Sequence, residues 1–156
     1  MVITRFRESW AWCEKEEKLY AKLLRGYKPV LHLFSGKSRL GDVRIDAEGF
    51  PEVTHRIRVV PTEDYMLPFR DDEFDAVIFD PPWVNQYILW TTKEVPRVAR
   101  RRIVAVTGCF WWEPHKKYLS SWKLTKIYVL KKVSPVVKLV FVYDRISQPL
   151  NLYLKR

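Results

Sequence analysis

The sequence has few of the features that stabilise secreted or membrane proteins. Only two cysteines, Cys13 and Cys109, occur among 156 residues, too few for a disulfide framework or a cysteine-ligated zinc cluster. No apolar run approaches the roughly 20 residues that a bilayer-spanning helix needs, and no signal-peptide pattern opens the chain. We therefore expect no association with a membrane through a spanning segment, and a reducing, cytoplasmic location.

Side-chain amides are also scarce, with two Asn and two Gln against 28 Lys plus Arg and 18 Asp plus Glu. Few labile amides beside abundant charge is typical of thermophile proteins. The formal net charge of +10 favours an acidic partner, a nucleic acid or an anionic membrane surface. The length fits one domain with a single sizeable core.

The most informative stretch is residues 74–83, Phe-Asp-Ala-Val-Ile-Phe-Asp-Pro-Pro-Trp. Its apolar run is too short for a helix and predicts a strand buried on both faces. Two prolines cannot continue a ladder, so the chain must turn at the carboxyl end of the strand. Ligands bind at that edge in open α/β sheets.

Two interpretations of this turn remain open. One is an ordinary polar turn with Trp83 packed in the core. The other is a site for a planar base, in which the Asp80 carboxylate and the Pro81 carbonyl accept hydrogen bonds from the two hydrogens of an amino group. In that site Trp83 stacks on the ring, and the tandem prolines hold both acceptors in place before reaction.

Asp-Pro-Pro-Trp after an apolar strand resembles the catalytic motif of S-adenosylmethionine-dependent amino-methyltransferases, specifically the adenine-N6 group. The resemblance covers about residues 28–144. It implies an α/β fold, a Rossmann-like three-layer sandwich whose mostly parallel seven-stranded sheet ends in a C-terminal antiparallel hairpin. The implied catalytic residues are Asp80, Pro81, Pro82 and Trp83.

Residues 30–34 predict a second buried strand, followed by a loop in which Gly36 permits a sharp turn or a close approach to a ligand. A phosphate-loop interpretation is disfavoured because Leu31 stands where that loop needs its first glycine. Asp46 ends the next predicted strand, the position at which Rossmann-like folds hold ribose hydroxyls. Because only residues 35–42 join these two strands, we expect their crossover helix to shrink to one turn.

The resemblance implies that the loop at 35–41 faces the methionine part of the cofactor and that Asp46 holds its ribose. Glu63, with Asp64 as a substitute, would accept from the adenine amino group, although a solvated acidic loop is the alternative. His32 also fits a hydrogen-bonded core residue. The cofactor-binding candidates are His32, Phe34, Ser35, Gly36, Asp46, Glu63, Asp64 and Asp80, and no metal is implied.

An aromatic segment, Phe110-Trp111-Trp112, follows the predicted fifth strand. Three adjacent aromatics in a loop must pack or bind something, so they are candidates to stack on an extruded base. Burial under the N-terminal helix or a dimer contact is the alternative. Two nearby lysines, Lys116 and Lys117, suit contacts with phosphates. The substrate-binding candidates are therefore Trp83, Trp111, Trp112, Lys116 and Lys117.

The single predicted domain, 1–156, divides into an N-terminal helical segment (1–27), a catalytic core (28–144) and a tail (145–156). The first helix, at 5–26, is expected to cover one face of the sheet, with a substrate-binding arm as the alternative. The other predicted elements are a strand at 56–60, a helix at 84–101 ending in an arginine cluster, a strand at 103–106, and closing strands near 123–130 and 137–143 joined by a hairpin connection at 131–135.

These observations predict an S-adenosylmethionine-dependent N-methyltransferase acting on the amino group of a nucleic-acid base, with N6 of adenine in DNA favoured. An RNA base, through adenine N6 or guanine N2, is the alternative target. A non-catalytic nucleic-acid-binding subunit that keeps the fold is the alternative class, favoured by the short loop at 35–42. Target recognition is expected to require loops, a second copy in a homodimer, or a partner subunit.

Overall fold

The structure, a computed structural model, describes residues 11–131 and 137–147. Within these ranges it contains two α-helices, seven strands and one short 3-10 helix, Leu119–Ser121. The helices are α1 (Glu14–Leu24) and α2 (Asn85–Val98). The strands are β1 (Val30–Leu33), β2 (Val43–Asp46), β3 (His55–Arg56), β4 (Phe74–Phe79), β5 (Ala99–Thr107), β6 (Trp122–Lys131) and β7 (Val137–Arg145).

The seven strands form one mixed sheet in the order β3-β2-β1-β4-β5-β7-β6. The first five strands of that order pair in parallel, whereas β7 runs antiparallel to both β5 and β6. The predicted α/β class, the mostly parallel seven-stranded sheet and the antiparallel C-terminal pair are confirmed. Because β1, β4 and β5 are parallel neighbours, their carboxyl ends meet at one edge.

Strand β4 is buried along its whole length, as its apolar sequence predicts. Alternate side chains point to opposite faces: Val77 and Phe79 join the cluster that contains Val95 of α2, and Ile78 joins the cluster that contains Tyr20 of α1. Each fully buried aliphatic side chain contributes about 1.5–3 kcal/mol. The two helices therefore hold β4, and the turn that follows it, from both sides.

The first helix begins later than its apolar stripe predicts. Cys13 is the N-cap, and its backbone N–H donates to the Glu16 carboxylate at 3.1 Å. This capping arrangement satisfies an N–H that the helix itself leaves unpaired. Trp12 therefore precedes α1 instead of lying in it, while residues 5–10 of the predicted helix fall outside the described ranges. Gly26, with a φ of 84°, follows the end of α1 as predicted.

The short crossover between β1 and β2 contains no helical turn, so that expectation was wrong. The two strands are nevertheless parallel neighbours, with Leu31 opposite Val43. The connection is a tight turn in which the Ser38 N–H donates to the Ser35 carbonyl at 3.0 Å. Gly41, at a φ of 96°, adopts a conformation that L side chains rarely accept.

Two predicted boundaries were also wrong. Strand β3 contains two residues, so most of the predicted strand at 56–60 is loop. Helix α2 ends at Val98 with Arg97 in its last turn as expected, whereas Arg100, Arg101 and Arg102 lie on β5. Two of these arginines bind a buried carboxylate: Arg100 and Arg101 donate hydrogen bonds to Asp75 at 3.0 and 2.9 Å. Burial acts to raise the pKa of Asp75, but these arginines and a backbone N–H hold it below its ordinary value.

The described residues contain no helix that is both long enough and apolar enough to cross a bilayer. Most of the predicted hairpin connection, residues 132–135, and the tail from residue 148 lie outside the described ranges. The pairing of Lys131 with Val137 brackets that connection.

Candidate active site

A cleft with a volume of about 1070 Å³ lies at the carboxyl edge of the parallel strands. The residues after β1, β2, β4 and β5 all reach it, because parallel neighbours end at the same edge. Asp46 and Asp80 therefore line one cavity. The sequence-predicted residues in its wall are Phe34, Ser35, Gly36, Asp46, Asp80, Pro81, Pro82 and Trp83.

Asp80 follows the last residue of β4 and is held by groups from two distant elements. Its Oδ2 accepts a hydrogen bond from the Trp12 indole Nε1–H at 3.2 Å. The Lys138 ammonium on β7 lies 3.9 Å from the same oxygen. The side chain keeps 25% of its accessible surface, so the carboxylate is partly sheltered and still reachable from the cleft.

The lysine beside Asp80 also contacts a buried carboxylate of α1. Lys138 Nζ lies 3.0 Å from Glu16 Oε1, and the Tyr20 hydroxyl donates to the same oxygen at 3.4 Å. Burial raises the pKa of Tyr20, and the negative charges of Glu16 and Asp80 raise it further. The hydroxyl thus remains a donor, and one ammonium is shared between two carboxylates.

His32 does not line the cleft. It is fully buried in β1, its Nδ1 lies 3.0 Å from the Leu40 carbonyl oxygen, and its ring stacks on Trp12 at 4.9 Å. Burial lowers the pKa of His32 to about 4, so the ring is neutral near pH 7. The structure therefore shows the hydrogen-bonded core residue that was the alternative to a cofactor ligand.

Asp46 ties together the two loops that form the opposite wall. Its Oδ2 accepts from the Gly36 N–H at 2.8 Å and its Oδ1 from the Glu48 N–H at 2.9 Å. Phe34, with a φ of 60°, takes a left-handed conformation that costs about 1–2 kcal/mol. The Ser35 hydroxyl is buried in this wall and has no hydrogen-bond partner among the described residues.

Trp83 stands at the rim of the cleft with 61% of its surface exposed. One part of its indole packs on Gly108 at the end of β5. Pro81 is buried beside it, whereas Pro82 is exposed. Trp83 is therefore not packed in the core, which was the alternative interpretation of this turn.

The acidic candidates in the loop before β4 lie away from the cleft. The Glu63 side chain is 91% exposed and lies 3.8 Å from the Lys93 ammonium, and Asp64 is exposed too. Both fit the solvated acidic loop that was their alternative. The stretch Ile57–Val59 lines that part of the cavity instead.

Trp112 is a core residue and not a wall of the cleft. Only 1% of its surface is exposed, its Nε1–H donates to the Thr91 hydroxyl at 3.1 Å, and its ring packs edge-on against Phe79 and Tyr143. Because this indole is enclosed by α2 and the sheet, it cannot stack on a base. Its placement corrects the substrate-binding prediction.

The remaining substrate candidates are exposed but do not line the cavity. Trp111 packs edge-on against Phe141 of β7 with its outer side open to solvent. Lys116 and Lys117 are exposed, and the Lys117 ammonium lies 5.5 Å from the centre of the Tyr118 ring. The structure thus brings together the candidates at and after β1, β2 and β4 and leaves Trp111, Trp112, Lys116 and Lys117 outside the cavity. Gly108, which was not a candidate, does line it.

Three wall residues had no signal in the sequence. Trp12 and Glu16 fall within the predicted helix at 5–26 and Lys138 within the predicted closing strand near 137–143, and none of the three was a site candidate. With these added, the charged lining comprises Glu16, Asp46, Glu48 and Asp80 against Arg58 and Lys138. The cleft of this basic protein is therefore acidic, which favours a cationic ligand.

No protein-family model matches the chain, and no curated protein matches it. The cleft and its residues therefore provide the basis for a functional assignment.

Proposed function

We propose that this protein is an S-adenosylmethionine-dependent methyltransferase that acts on the exocyclic amino group of a nucleic-acid base, with N6 of adenine in DNA as its preferred target. The observation that carries the proposal is the shared cleft. Asp80 and Pro81 enter it after β4, and it is closed on the other side by Asp46 and the loop after β1.

The topology supports the finer fold assignment. The order β3-β2-β1-β4-β5 follows the 3-2-1-4-5 order of Rossmann-type sheets, whose ligands bind outside the carboxyl ends of the strands. The helices α1 and α2 contribute to the core clusters on opposite faces. A Rossmann-like three-layer sandwich is the architecture that we propose.

The cleft fits the cofactor in size and chemistry. Its volume of about 1070 Å³ is at the upper end of ligand pockets, which span roughly 300–1,000 Å³, and so leaves room for a base beside a nucleotide-sized molecule. The acidic lining suits a ligand with sulfonium and ammonium charges. The Ser35 hydroxyl, which has no hydrogen-bond partner within residues 11–131 and 137–147, offers a hydrogen bond to the cofactor, because buried polar groups are normally satisfied. Phe34–Gly36, Asp46 and Glu48 would hold the cofactor.

The protein's own contribution is to position the amine. Bound S-adenosylmethionine would supply a methyl group: an N–C bond would form as the S–C bond breaks, the sulfur would keep the electron pair as a neutral thioether, and the nitrogen would lose one proton to water. The Asp80 carboxylate and the Pro81 carbonyl would each accept a hydrogen bond from one N–H of the amino group, which draws the lone pair out of conjugation with the ring. Both acceptors are fixed before reaction, where electrostatic stabilisation is most effective.

Trp83 holds the base at the mouth of the cleft. Its half-exposed indole offers a flat face on which a base can stack, and such stacking contributes about 1–3 kcal/mol per base. A second copy of the chain or a partner subunit is proposed to supply target recognition.

A second candidate, a non-catalytic nucleic-acid-binding subunit, is favoured by one observation. Both oxygens of Asp46 already accept backbone N–H groups, so this acid has a structural role in the loops that needs no bound ribose. The short crossover between β1 and β2 points the same way.

Cofactor binding and product analysis test the proposal together. We expect heat on calorimetric titration with S-adenosylmethionine, an upward shift of the melting temperature, and labelled N6-methyldeoxyadenosine after incubation with a DNA pool. Product in an RNA pool alone would change the substrate class. Nucleic-acid binding without any cofactor binding would support the second candidate and remove the enzymatic assignment.

A further inference from the structure

We infer that Trp12 and Lys138 are positioning residues for Asp80, so that the segment leading into α1 takes part in the reaction as well as covering the sheet. This inference rests on the proposed function, in which Asp80 accepts a hydrogen bond from the target amine. Neither residue belongs to the Asp-Pro-Pro-Trp turn, and both reach it from distant parts of the chain.

The contacts of both residues converge on one oxygen of the carboxylate. The Trp12 Nε1–H donates to Asp80 Oδ2 at 3.2 Å, and Lys138 Nζ lies 3.9 Å from it. A carboxylate has about four acceptor sites, and two contacts on the same oxygen restrict its rotation. A small misplacement of a catalytic group costs large factors in rate, which gives this restriction a catalytic value.

Trp12 is itself held on two sides. Its ring stacks on His32 at 4.9 Å with an interplanar angle of 16°, and meets Tyr20 edge-on at 4.5 Å. Both of those residues are completely buried. The indole N–H is thus aimed at Asp80 by a rigid aromatic cluster between α1 and β1, which is the arrangement expected of a positioning group.

Lys138 is fixed by the sheet and by a second carboxylate. It lies opposite Leu130 of β6 in the β7 ladder, and its ammonium is nearer to Glu16 than to Asp80, at 3.0 against 3.9 Å. The lysine therefore stabilises the ionised Asp80 from a distance and does not close on it as a full ion pair. Among the described residues, Tyr20 from α1 and Lys138 from β7 are titratable groups that interact with Asp80, and Glu16 from α1 shares the lysine.

The competing interpretation is that Trp12 blocks the acceptor and inhibits the enzyme. The two interpretations predict opposite changes in rate when the indole N–H is removed. Trp12→Phe removes the donor while keeping a ring for the stack on His32, so it separates them. Lys138→Met removes the ammonium, Lys138→Arg restores a cation, and Lys22→Met on the exposed side of α1 is the matched control.

We expect Trp12→Phe and Lys138→Met to lower kcat about tenfold or more, with KM for nucleic acid and the Kd for S-adenosylmethionine within twofold of the wild type. Lys138→Met also shifts the acid limb of the pH–rate profile to higher pH, because the ionised carboxylate loses its neighbouring cation. Lys138→Arg recovers part of the rate, and Lys22→Met behaves as the wild type. An unchanged or raised kcat in Trp12→Phe overturns the inference.

A second measurement does not depend on activity. In an NMR spectrum of the indole N–H groups, the Trp12 resonance is identified by its loss in Trp12→Phe. We expect this resonance to move in Asp80→Asn and in Lys138→Met and to stay in place in Lys22→Met. A resonance that is insensitive to Asp80→Asn overturns the inference. If the wild type transfers no methyl group to any pool, the proposed function fails, and the NMR measurement alone decides whether Trp12 holds Asp80.

Discussion

The indole ring of Trp83 lies against the α-carbon of Gly108. A Cβ added at residue 108 would come within 2.3 Å of Trp83 Cζ2, a distance that real Cβ contacts do not reach. The end of β5 thus supports the aromatic residue of the turn that follows β4. Any side chain at residue 108 would occupy the space of the indole, so glycine is what allows Trp83 to take this position.

Gly108→Ala should displace Trp83 and leave the fold intact. We expect nucleic-acid affinity to fall about tenfold, within the roughly 1–3 kcal/mol of a base-stacking contact, with a nearly unchanged melting temperature. Gly49→Ala is the matched control, because its Cβ would meet Arg56 at an ordinary 3.5 Å. Adding Trp83→Ala to Gly108→Ala should cost little more, and full additivity would show that the two residues act separately.

The two tryptophans Trp83 and Trp112 should respond in opposite ways to truncation. Trp83→Ala should weaken nucleic-acid binding more than folding, because the side chain is exposed at the rim. Trp112→Ala should lower the free energy of unfolding by about 3–5 kcal/mol, because the indole fills the core and bonds Thr91. Affinity and melting temperature measured on both variants test this, and a core-sized loss of stability in Trp83→Ala would contradict it.

Asp80→Ala should abolish methyl transfer and leave cofactor affinity within a few-fold of the wild type. The carboxylate is the amine acceptor in the proposed site, whereas Phe34–Gly36 and Asp46 form the opposite wall. Asp64→Asn, which changes an exposed acid outside the cleft, is the control and should keep full activity. Single-turnover rates and calorimetric affinities measure the two effects separately, and normal turnover by Asp80→Ala would remove the assigned role.

Acidification should destabilise the protein through His32. Its pKa falls from 6.5 in the unfolded chain to about 4 in the fold, so the unfolded chain binds the extra proton between these values. Stability is therefore complete above pH 6.5 and is lost as the pH falls towards 4, by about 3 kcal/mol in all. Urea unfolding at several pH values measures this loss.

His32→Gln is the control for the pH effect, because it removes the titrating ring and keeps a group able to bond the Leu40 carbonyl. The slope of unfolding free energy between pH 6.5 and 4 should flatten in this variant. An equal slope in both proteins would assign the effect to other groups. Asp75 titrates below its ordinary value, so its contribution is present above that value and is lost only as the pH falls through the lowered one.

Local sequence was sufficient to predict the strand and turn that carry Asp80. The apolar run of β4 has one stable solution, a strand buried on both faces, and the tandem prolines end it wherever it lies. The glycine-containing loop after β1 and the acid at the end of β2 were also predicted, because each depends on residues that are close together in the sequence. Their meeting in one cleft follows from parallel pairing of the strands.

Helix boundaries and the crossover were predicted less well, because competing local interactions decide them. The start of α1 is set by the hydrogen bond from the Cys13 N–H to the Glu16 carboxylate. The spacing of apolar residues gives no information about this bond. The arginines after α2 have good helix propensity, but the buried Asp75 draws two of them onto β5. A tertiary ion pair thus overrides a local preference.

The sequence by itself determined the α/β class, the central strand and the placement of Asp80 at its carboxyl end, since periodicity and proline geometry act over a few residues. Only the tertiary structure decided that Trp112 is core, that Glu63 faces solvent, and that Trp12 and Lys138 reach Asp80. Those outcomes depend on which distant side chains become neighbours when the sheet forms. No local pattern encodes that neighbourhood, because it is set by packing and charge across the whole fold.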